Sequence, residues 1–403
     1  PMKVELKNVD QQEIQLTNRN HFTNLKEYET RWKIIANGDT LQQGILANVD
    51  VLPSKVTSFT VPWKKINVKP NVDYSLRISF HLKENQSWAG KGYEVGFEQF
   101  DLGLKQTKAE NSKAIALKEV IKSANQIEVK GKTFSVIFDL HEGTLSSLKY
   151  NNREMLVSSP IFQGYRAPVD NDKGFGNWLA KDWRLQGLDS LKRKLVSADI
   201  LEETKDRLVI KATAESHAKN GKFIHEAIYT IQGDGSIDVA NTFTPSGELP
   251  ELPRLGVVMS LNQNLEAVKW HGHGPYENYV DRKTSTPLGV YKSTVTDQYF
   301  PYPVPQETGN KENIQWIQLS DKAGKGLRFT CTSEKMSGSA LHFTANDLDV
   351  ATHAYKLVPR KEVVLSLDAI MLGLGNSSCG PGVLKKYAIE KRPYTLNFRI
   401  ESL

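Results

Sequence analysis

The sequence predicts an all-β protein built from antiparallel strands. Three observations lead to this prediction. Short runs of alternating or β-branched residues recur along the chain, polar turn residues separate them about every 8 to 12 residues, and helical periodicity is weak throughout. The chain has 403 residues, which is more than a single hydrophobic core usually contains. We therefore expect at least two domains, built as sandwiches or barrels.

Hairpin signals along the chain indicate where consecutive strands are joined. In "RWKIIANGDTLQQGILANVDV" the pair Asn37-Gly38 joins two strand-like runs. Similar turns follow at 130–132, 142–143 and 151–152, and within "YTIQGDGSIDVANTFTP". The best helical candidate is residues 176–191, where one face would carry Trp178, Leu179, Trp183 and Leu188.

A polar, lysine-rich stretch divides the chain. Residues 1–103 contain about seven strand candidates, enough for an immunoglobulin-like sandwich without a cysteine pair. Residues 104–124 are predicted to be a linker. Residues 125–403 are too long for one small sandwich and predict a large two-sheet sandwich.

Composition excludes several kinds of partner. The 52 basic and 46 acidic side chains are interleaved, so no nucleic-acid partner is predicted. No run approaches the roughly 20 apolar residues of a membrane span, and the start carries no signal-peptide pattern. Cys331 and Cys379 lack metal-ligand spacing, and a bridge between them stays open.

Four glycine-punctuated stretches could carry chemistry. The first, "GYRAPVDNDKGFGNW" (164–178), places oxygen ligands at alternate positions, as a calcium loop would, but lacks the glycine and glutamate of an EF-hand. We therefore favour turn and helix capping by its polar side chains, Arg166, Asp170, Asn171 and Asp172.

The second stretch is "WHGHGPYENYVDR" (270–282). His271 and His273 lie two apart and would share one face of a strand, which permits a pair of ligands or an acid and a base. The favoured interpretation is that Glu277, Asp281 and Arg282 tie a long loop together by charge-assisted hydrogen bonds.

The other two stretches are "YFPYPVPQETGNKENIQWI" (299–317) and "MLGLGNSSCGPGVL" (371–384). In the third, Tyr299, Phe300 or Tyr302 could stack on a sugar or pack an interdomain surface, and Glu307 follows. In the fourth, glycines allow close approach to a ligand, and Cys379 has no neighbouring base that would make it a nucleophile.

Together, "YRAPVDND", "WHGHGPYENYVDR", "YPVPQETGNKENIQW" and "GLGNSSCGPG", in this order, resemble the last domain of glycoside hydrolase family two β-galactosidases. The first hundred residues, ending in "GYEVGFEQFDL", resemble the immunoglobulin-like domain that precedes it. The resemblance implies a C-terminal part of a retaining β-galactosidase, with a final supersandwich like that of galactose mutarotases.

In that family the catalytic glutamates lie on a barrel, and this chain shows no barrel pattern. The resemblance therefore implies no catalytic residue and no metal ligand here, and a chain inactive by itself. Its implied partners are the catalytic barrel of the same polypeptide and β-galactosides, with a homo-oligomer left open. Cofactors are expected only in the full-length enzyme, as Mg²⁺ or Ca²⁺.

The resemblance also implies roles for particular residues. Well-known members stack a tryptophan of the final glycine-rich loop on the substrate, and the matching position here is Cys379. That loop would form a wall of the active site through Asn376, Ser378 and Cys379. The remaining matched positions would hold the loops in place, namely Arg166, Asp170, Asn171, Asp172, Glu277, Asn278, Asp281, Arg282 and Glu307.

Two functions compete with this one. A freestanding mutarotase-like epimerase would use His271, His273 and Glu307 as acid and base. A carbohydrate-binding or assembly module would use the aromatic side chains at 299–302.

Overall fold

The computed structural model describes residues 1–104, 106, 115–174 and 178–403. It is 49% strand and 9% helix, which confirms the all-β prediction. The chain forms two compact units. One comprises the described residues up to 106 together with Leu288–Val290, and the other comprises the remainder.

The first unit contains two sheets, as an immunoglobulin-like sandwich does. A three-stranded sheet has the order β1-β2-β5 and a four-stranded sheet the order β4-β3-β6-β7. Their strands are β1 Met2–Asn8, β2 Glu13–Asn18, β3 Tyr28–Ala36, β4 Asp39–Ile45, β5 Val56–Thr60, β6 Tyr74–Leu82 and β7 Glu94–Asp101, with a short 3-10 helix at Leu25–Glu27. Asn37 and Gly38 both have positive φ and form the β3–β4 turn, as predicted.

The second unit contains three sheets around one core. A five-stranded sheet, β12-β11-β10-β9-β8, consists of β8 Glu119–Lys122, β9 Gln126–Lys130, β10 Phe134–Asp139, β11 Thr144–Tyr150 and β12 Arg153–Glu154. A four-stranded sheet, β13-β18-β24-β23, consists of β13 Leu156–Gln163, β18 Arg254–Leu261, β23 Ser337–Leu341 and β24 Val363–Met371.

The third sheet of this unit has nine strands in the order β14-β15-β16-β17-β25-β22-β21-β19-β20. They are β14 Lys192–Glu203, β15 Arg207–His217, β16 Gly221–Gln232, β17 Ile237–Gly247, β19 Ala267–His273, β20 Leu288–Thr294, β21 Trp316–Ser320, β22 Gly326–Cys331 and β25 Tyr394–Ser402. Strict alternation of buried and half-buried residues along β15, β16 and β17 explains why one face of this sheet covers the core.

Helices are short in the part of the chain that the structure describes. They are α1 Asp170–Lys173, α2 Trp178–Gln186 and α3 Ala345–Val350, with 3-10 turns at Leu188–Ser190, Thr296–Gln298, Ala354–Lys356 and Lys385–Tyr387. None of these described helices has the length and apolar character needed to cross a membrane.

Two local expectations differ from the structure. The predicted helix ends at Gln186, its residues 176 and 177 lie outside the described residues, and Trp178 is 57% exposed although Trp183 and Leu188 are buried. The predicted linker includes β8, because Glu119–Lys122 pairs with β9. Linker residues 105 and 107–114 lie outside the described residues.

Candidate functional site

The four stretches singled out in the sequence meet in the second unit. We call residues 164–174, 270–282, 299–317 and 371–384 the four-loop cluster. They follow or precede strands of two different sheets. The pairing of β19 with β21 aligns the second and third stretches, with Trp270 opposite Ile317 and His271 opposite Trp316. Side chains form the other joins, and each of these can be traced to a residue that the sequence had suggested.

Arg166 forms the buried centre of the first join. Its side chain is fully buried, and Nη2 donates to Asp172 Oδ1 at 2.7 Å and Oδ2 at 3.0 Å. Nη1 donates to the carbonyl of Leu372 at 2.5 Å, which attaches the first loop to the fourth. The guanidinium carbon lies 5.6 Å from the ring centroid of Trp183. A buried cation is thereby paired, hydrogen-bonded and packed.

Asn171 and Asp170 extend this join toward the surface. The amide of Asn171 donates to the carbonyl of Gly375 at 2.7 Å and accepts from Ser378 Oγ at 2.6 Å. Asp170 accepts from Gln306 Nε2 at 3.4 Å, and its backbone N–H donates to Gln306 Oε1 at 3.1 Å. The three polar residues of the "DND" segment are therefore engaged within the protein. Among the described residues no group of three His, Cys, Asp or Glu is placed to hold a metal ion.

Asp281 and Arg282, which belong to the second loop, form hydrogen bonds to the fourth loop. Asp281 accepts the backbone N–H of Leu374 at 3.0 Å and of Gly375 at 2.9 Å. Arg282 donates to the carbonyl of Gly375 and, at 2.9 Å, to Asn376 Oδ1. Asp281 thus binds N–H groups of one short backbone segment and Arg282 binds a carbonyl of the same segment, so two adjacent residues of opposite charge hold it.

Glu277 joins the second loop to the third. Its carboxylate accepts from the hydroxyls of Tyr302, Thr308 and Tyr279 and from the backbone N–H of Gly309, at 2.7 Å for the last. Burial and the nearby Glu277 charge raise the pKa values of the Tyr302 and Tyr279 phenols, so both remain protonated donors. Four donors occupy the acceptor positions of Glu277, which makes it a structural anchor.

Asn278 completes this second join. Its Oδ1 accepts the backbone N–H of Glu312 at 2.7 Å, and its own carbonyl accepts from Asn310 Nδ2 at 2.8 Å. Asn278 and Asn310 are almost completely buried, so these bonds form out of contact with water.

Glu307 belongs to a second buried charge group that the sequence reasoning missed. Arg254 Nη2 donates to Asp368 Oδ2 at 2.9 Å and lies 3.6 Å from Glu307 Oε1. Burial raises the pKa of Asp368 to about 7, and burial also raises the pKa of Glu307, although Arg254 opposes both shifts. The signal was available, since Arg254 begins the apolar strand "RLGVVMSL" and Asp368 interrupts the apolar strand "VVLSLDAIM".

A cavity of about 10 Å³ adjoins this group, room for about one water molecule. Arg254, Glu307 and polar side chains of three neighbouring strands line it, namely Gln163, Ser339 and Ser366. The group is therefore a polar pocket inside the sandwich, away from the exposed loop tips.

The predicted wall residues lie at the exposed tip of the fourth loop. Asn376, Ser378 and Cys379 are all exposed, and the N–H of Cys379 donates to the carbonyl of Asn376 at 3.1 Å. Cys379 and Cys331 are both free, so the disulfide left open by the sequence is not formed. The role of these three residues in binding stays a prediction.

The histidine pair is integrated into the protein. His273 Nδ1 donates to the carbonyl of Thr286 at 2.5 Å, and its Nε2 lies 3.2 Å from Asn313 Nδ2. His271 is buried, with its ring 6.2 Å from that of Trp316. Both ring nitrogens of His273 are engaged, which does not favour an acid and base at this strand.

These observations define an all-β protein whose larger unit carries four mutually tied loops. A family model described as the β-galactosidase small chain matches residues 130–400, and one described as β-galactosidase domain 4 matches residues 14–103. Because the first match covers more than half of the chain, the protein belongs to the β-galactosidase small-chain family.

Individual relatives agree with this family. The chain is 31% identical to a β-galactosidase of Lactobacillus delbrueckii subsp. bulgaricus over 393 residues, which cover 96% of this chain and 37% of that relative. It is 29% identical to one of Priestia megaterium, again covering 96% of this chain and 37% of the relative. The chain thus spans little more than a third of the length of these relatives.

Among solved structures, a galactose mutarotase-like protein of Clostridium acetobutylicum matches 72% of this chain and 99% of its own, at 11% identity and a TM-score of 0.42. An aldose epimerase homologue of C. elegans matches 70% of this chain and 99% of its own, at 9% identity and a TM-score of 0.40.

Proposed function

We propose that this chain is a non-catalytic part of a retaining β-galactosidase that hydrolyses terminal β-D-galactose residues, and that its four-loop cluster shapes the active site. The observation that carries the proposal is the bracing of the fourth loop. Four predicted residues of two other loops hold its base through Leu372, Leu374 and Gly375, while the tip residues Asn376, Ser378 and Cys379 remain exposed. A fixed, exposed loop tip is what a wall beside a substrate requires.

Three carboxylates of the cluster support a non-catalytic role. A retaining glycosidase needs one carboxyl free to donate a proton and a carboxylate about 5 Å away free to attack. Glu277 accepts four hydrogen bonds, Asp281 accepts two backbone N–H groups, and Asp172 is bonded to Arg166. Each of these carboxylates is committed to holding a loop, so we expect the reacting pair to lie in another part of the enzyme.

The first test is an assay of the purified chain with a nitrophenyl β-galactoside. We expect no turnover above the rate in buffer. Turnover that disappears in the variant Glu277→Gln would contradict the proposal, since it would place a reacting carboxyl in this chain.

The wall itself can be tested in the enzyme that contains this chain. Cys379→Trp introduces an aromatic ring at the loop tip, where the family resemblance places a stacking tryptophan. We expect the KM for the galactoside to fall about fivefold or the preference among galactosides to change, since one aromatic contact contributes on the order of 1 kcal/mol. Cys379→Ser, which adds no ring, is the matched control. Unchanged kinetics in both variants would show that the loop tip does not contact the substrate.

A further inference from the structure

The first unit contains an open cleft of about 490 Å³, at the end of the four-stranded sheet where β3 begins and β4 and β6 end. Small-molecule binding sites in proteins usually measure roughly 300 to 1,000 Å³. We call this space the β3 cleft. The polar side chains that line it include Lys26, Tyr28, Glu29, Thr30, Asp50 and Lys83. The four-loop cluster belongs to the second unit, so the two sites share no residue.

The β3 cleft carries opposite charges in equal number. Its lining contains two lysines, Lys26 and Lys83, and two carboxylates, Glu29 and Asp50. The electrostatic potential of such a lining favours neither a strongly anionic nor a strongly cationic ligand. Hydroxyl groups both donate and accept hydrogen bonds, so a neutral molecule rich in hydroxyls matches alternating ammonium and carboxylate groups.

Each carboxylate of the β3 cleft is held by a contact within the protein. Asp50 Oδ1 accepts from Asn24 Nδ2 at 2.7 Å. Glu29 Oε1 accepts from Arg31 Nε at 2.5 Å. A carboxylate has about four acceptor positions, so both groups retain the capacity to accept a hydrogen bond from a ligand hydroxyl.

Thr30 brings an unpaired hydroxyl to the lining of the β3 cleft. The residue is 1% exposed, and its Oγ1 has no hydrogen-bond partner in the part of the chain that the structure describes. Most buried polar side chains in proteins do have such a partner. The backbone of Thr30 is satisfied, since its carbonyl accepts the N–H of Leu46 at 2.8 Å. A ligand hydroxyl beside Thr30 would give the side chain its missing bond.

The same cleft has an apolar wall. Ile45 lines it and is 59% exposed, and the half-buried Tyr28 contributes an aromatic ring. A sugar ring has an apolar face of C–H groups beside its hydroxyls, and burial of such a face against aliphatic and aromatic side chains is favourable. The wall thus complements the part of a sugar that hydrogen bonds leave uncovered.

Hydrogen bonds fix the walls of the β3 cleft. Asn24 caps the 3-10 helix Leu25–Glu27 by accepting the N–H of Lys26 at 3.0 Å, and the amide of the same side chain holds Asp50. Lys83 Nζ donates to the carbonyl of Lys26 at 2.6 Å, which joins the end of β6 to this helix. A ligand therefore meets a lining that is ordered in advance, which lowers the entropy cost of binding.

We propose that the β3 cleft binds a neutral saccharide of one or two rings. Asp50, Glu29 and Thr30 would bond its hydroxyls, and Tyr28 and Ile45 would cover its apolar face. The inference goes beyond the proposed function, because it assigns a second sugar site to a unit that contains none of the four loops. A small zwitterion, which would pair with one lysine and one carboxylate, is the alternative ligand that the experiment separates.

Saturation-transfer NMR of the purified chain tests the proposal, with millimolar maltose, lactose and the free amino acid glycine as separate probes. We expect saturation transfer to at least one disaccharide and none to glycine. Asp50→Asn and Thr30→Val should each raise the Kd of the bound disaccharide about fivefold, the effect of losing one hydrogen bond. Asp39→Asn is the matched control, since Asp39 is exposed on β4 and does not line the cleft. Its Kd should equal that of the unsubstituted chain.

The variants distinguish the β3 cleft from any other sugar-binding surface of the chain, the four-loop cluster included. A disaccharide that binds equally well to the unsubstituted chain, Asp50→Asn and Thr30→Val binds elsewhere, and the inference is then wrong. Absence of transfer to both disaccharides, or transfer to glycine alone, also contradicts it. None of these results bears on the galactoside turnover assay, so the proposed function stands or fails separately.

Urea unfolding of the same variants shows that the change in affinity is not a loss of fold. Thr30→Val should leave the free energy of unfolding unchanged, because valine has nearly the shape of threonine and the hydroxyl that is removed forms no bond in the free chain. Asp50→Asn keeps an oxygen that accepts from Asn24. A fivefold weaker affinity in these stable variants supports the saccharide site, and an unchanged affinity refutes it.

Discussion

Two fully buried arginines in the same unit hold their surroundings in different ways. Arg166 is balanced by one carboxylate, Asp172, and two backbone carbonyls. Arg254 faces two buried carboxyls, Asp368 and Glu307, and Asp368 Oδ1 has no hydrogen-bond partner. Equal burial therefore does not imply equal electrostatics. The Arg166 group is neutral as a set, whereas the Arg254 group becomes neutral only when one carboxyl holds a proton.

The largest expected effect is the loss of Arg166. Arg166→Met leaves Asp172 buried without its cation and removes the bonds to the fourth loop, so we expect the chain to lose about 3–5 kcal/mol of stability at pH 7. Urea unfolding followed by tryptophan fluorescence measures the loss. Arg184→Met is the control, because the Arg184 side chain is 36% exposed and its partner Asp349 keeps the hydrogen bond from Tyr165, so the loss of stability should be below about 1 kcal/mol. Equal costs for both variants would contradict the assigned role.

The substitution Arg254→Met should lower the stability of the chain by less than Arg166→Met does. The size of this loss should depend more strongly on pH. In Arg254→Met, Asp368 and Glu307 can both take up protons, which lowers the cost of their burial at acidic pH. We expect a loss of about 2–4 kcal/mol at pH 8 and a smaller one at pH 5. Parallel unfolding curves at the two pH values give the comparison, and a loss that does not change with pH would refute the two-carboxyl description.

A further pH-dependent effect follows from the Asp368 carboxyl itself. Because burial raises its pKa to about 7, the folded chain binds more protons than the unfolded chain between about pH 4 and pH 7. The contribution of Asp368 to stability is thus full below about pH 4 and is lost as the pH rises to 7, by up to about 1.4 kcal/mol per pH unit. In Asp368→Asn we expect this decline to disappear when unfolding free energies are measured from pH 4 to 8.

Asp347 provides the control of opposite sign. Burial would raise the pKa of Asp347, but hydrogen bonds from Arg360 and Thr344 lower it below its usual range. Its contribution is present above the ordinary carboxyl pKa and is lost as the pH falls, so Asp347→Asn should weaken the chain at neutral pH. If both variants change the pH profile in the same direction, the assignment of Asp368 is wrong.

The smallest effect concerns Asn171, whose amide holds the fourth loop but bears no charge. Asn171→Ala removes its bonds to Gly375 and Ser378, and we expect a stability loss of about 1 kcal/mol. Backbone amides at 375–380 should exchange hydrogen about fivefold to tenfold faster. Asn346→Ala is the control, since Asn346 is exposed and donates to Asp189 outside the cluster. Unchanged exchange in the Asn171 variant would show that the loop is held without it.

Much of the fold was predictable because its signals are local. Turns with positive φ, such as Asn37-Gly38 and Asn151-Asn152, carry residues that tolerate that conformation, and alternation identified the long strands. Strand β8 was missed because four residues between polar neighbours give too short a pattern. Trp178 was predicted to share one helix face with Trp183, yet it is exposed while Trp183 is buried, because helical spacing alone does not show where the helix meets its neighbours.

For the site, the sequence predicted which loops are special but not which atoms meet. Arg166 and Leu372 are separated by 206 residues, and no local pattern shows that a guanidinium will find that carbonyl. Arg254 and Asp368 were overlooked because each lies alone in a strand. Their role as an ion pair becomes visible only when β18 and β24 pair and bring the two side chains together.

The anchoring of the fourth loop separates its base from its tip. Asp281, Arg282 and Asn171 fix residues 374–376, and Asn171 also accepts hydrogen bonds from Ser378, whereas the side chain of Cys379 is exposed. Under the proposed function, the side chain at 379 can be exchanged during evolution without altering the path of the backbone that presents it. Substrate preference could then drift by single substitutions at positions such as 379, while the cost of ordering the loop is met once, when the domain folds.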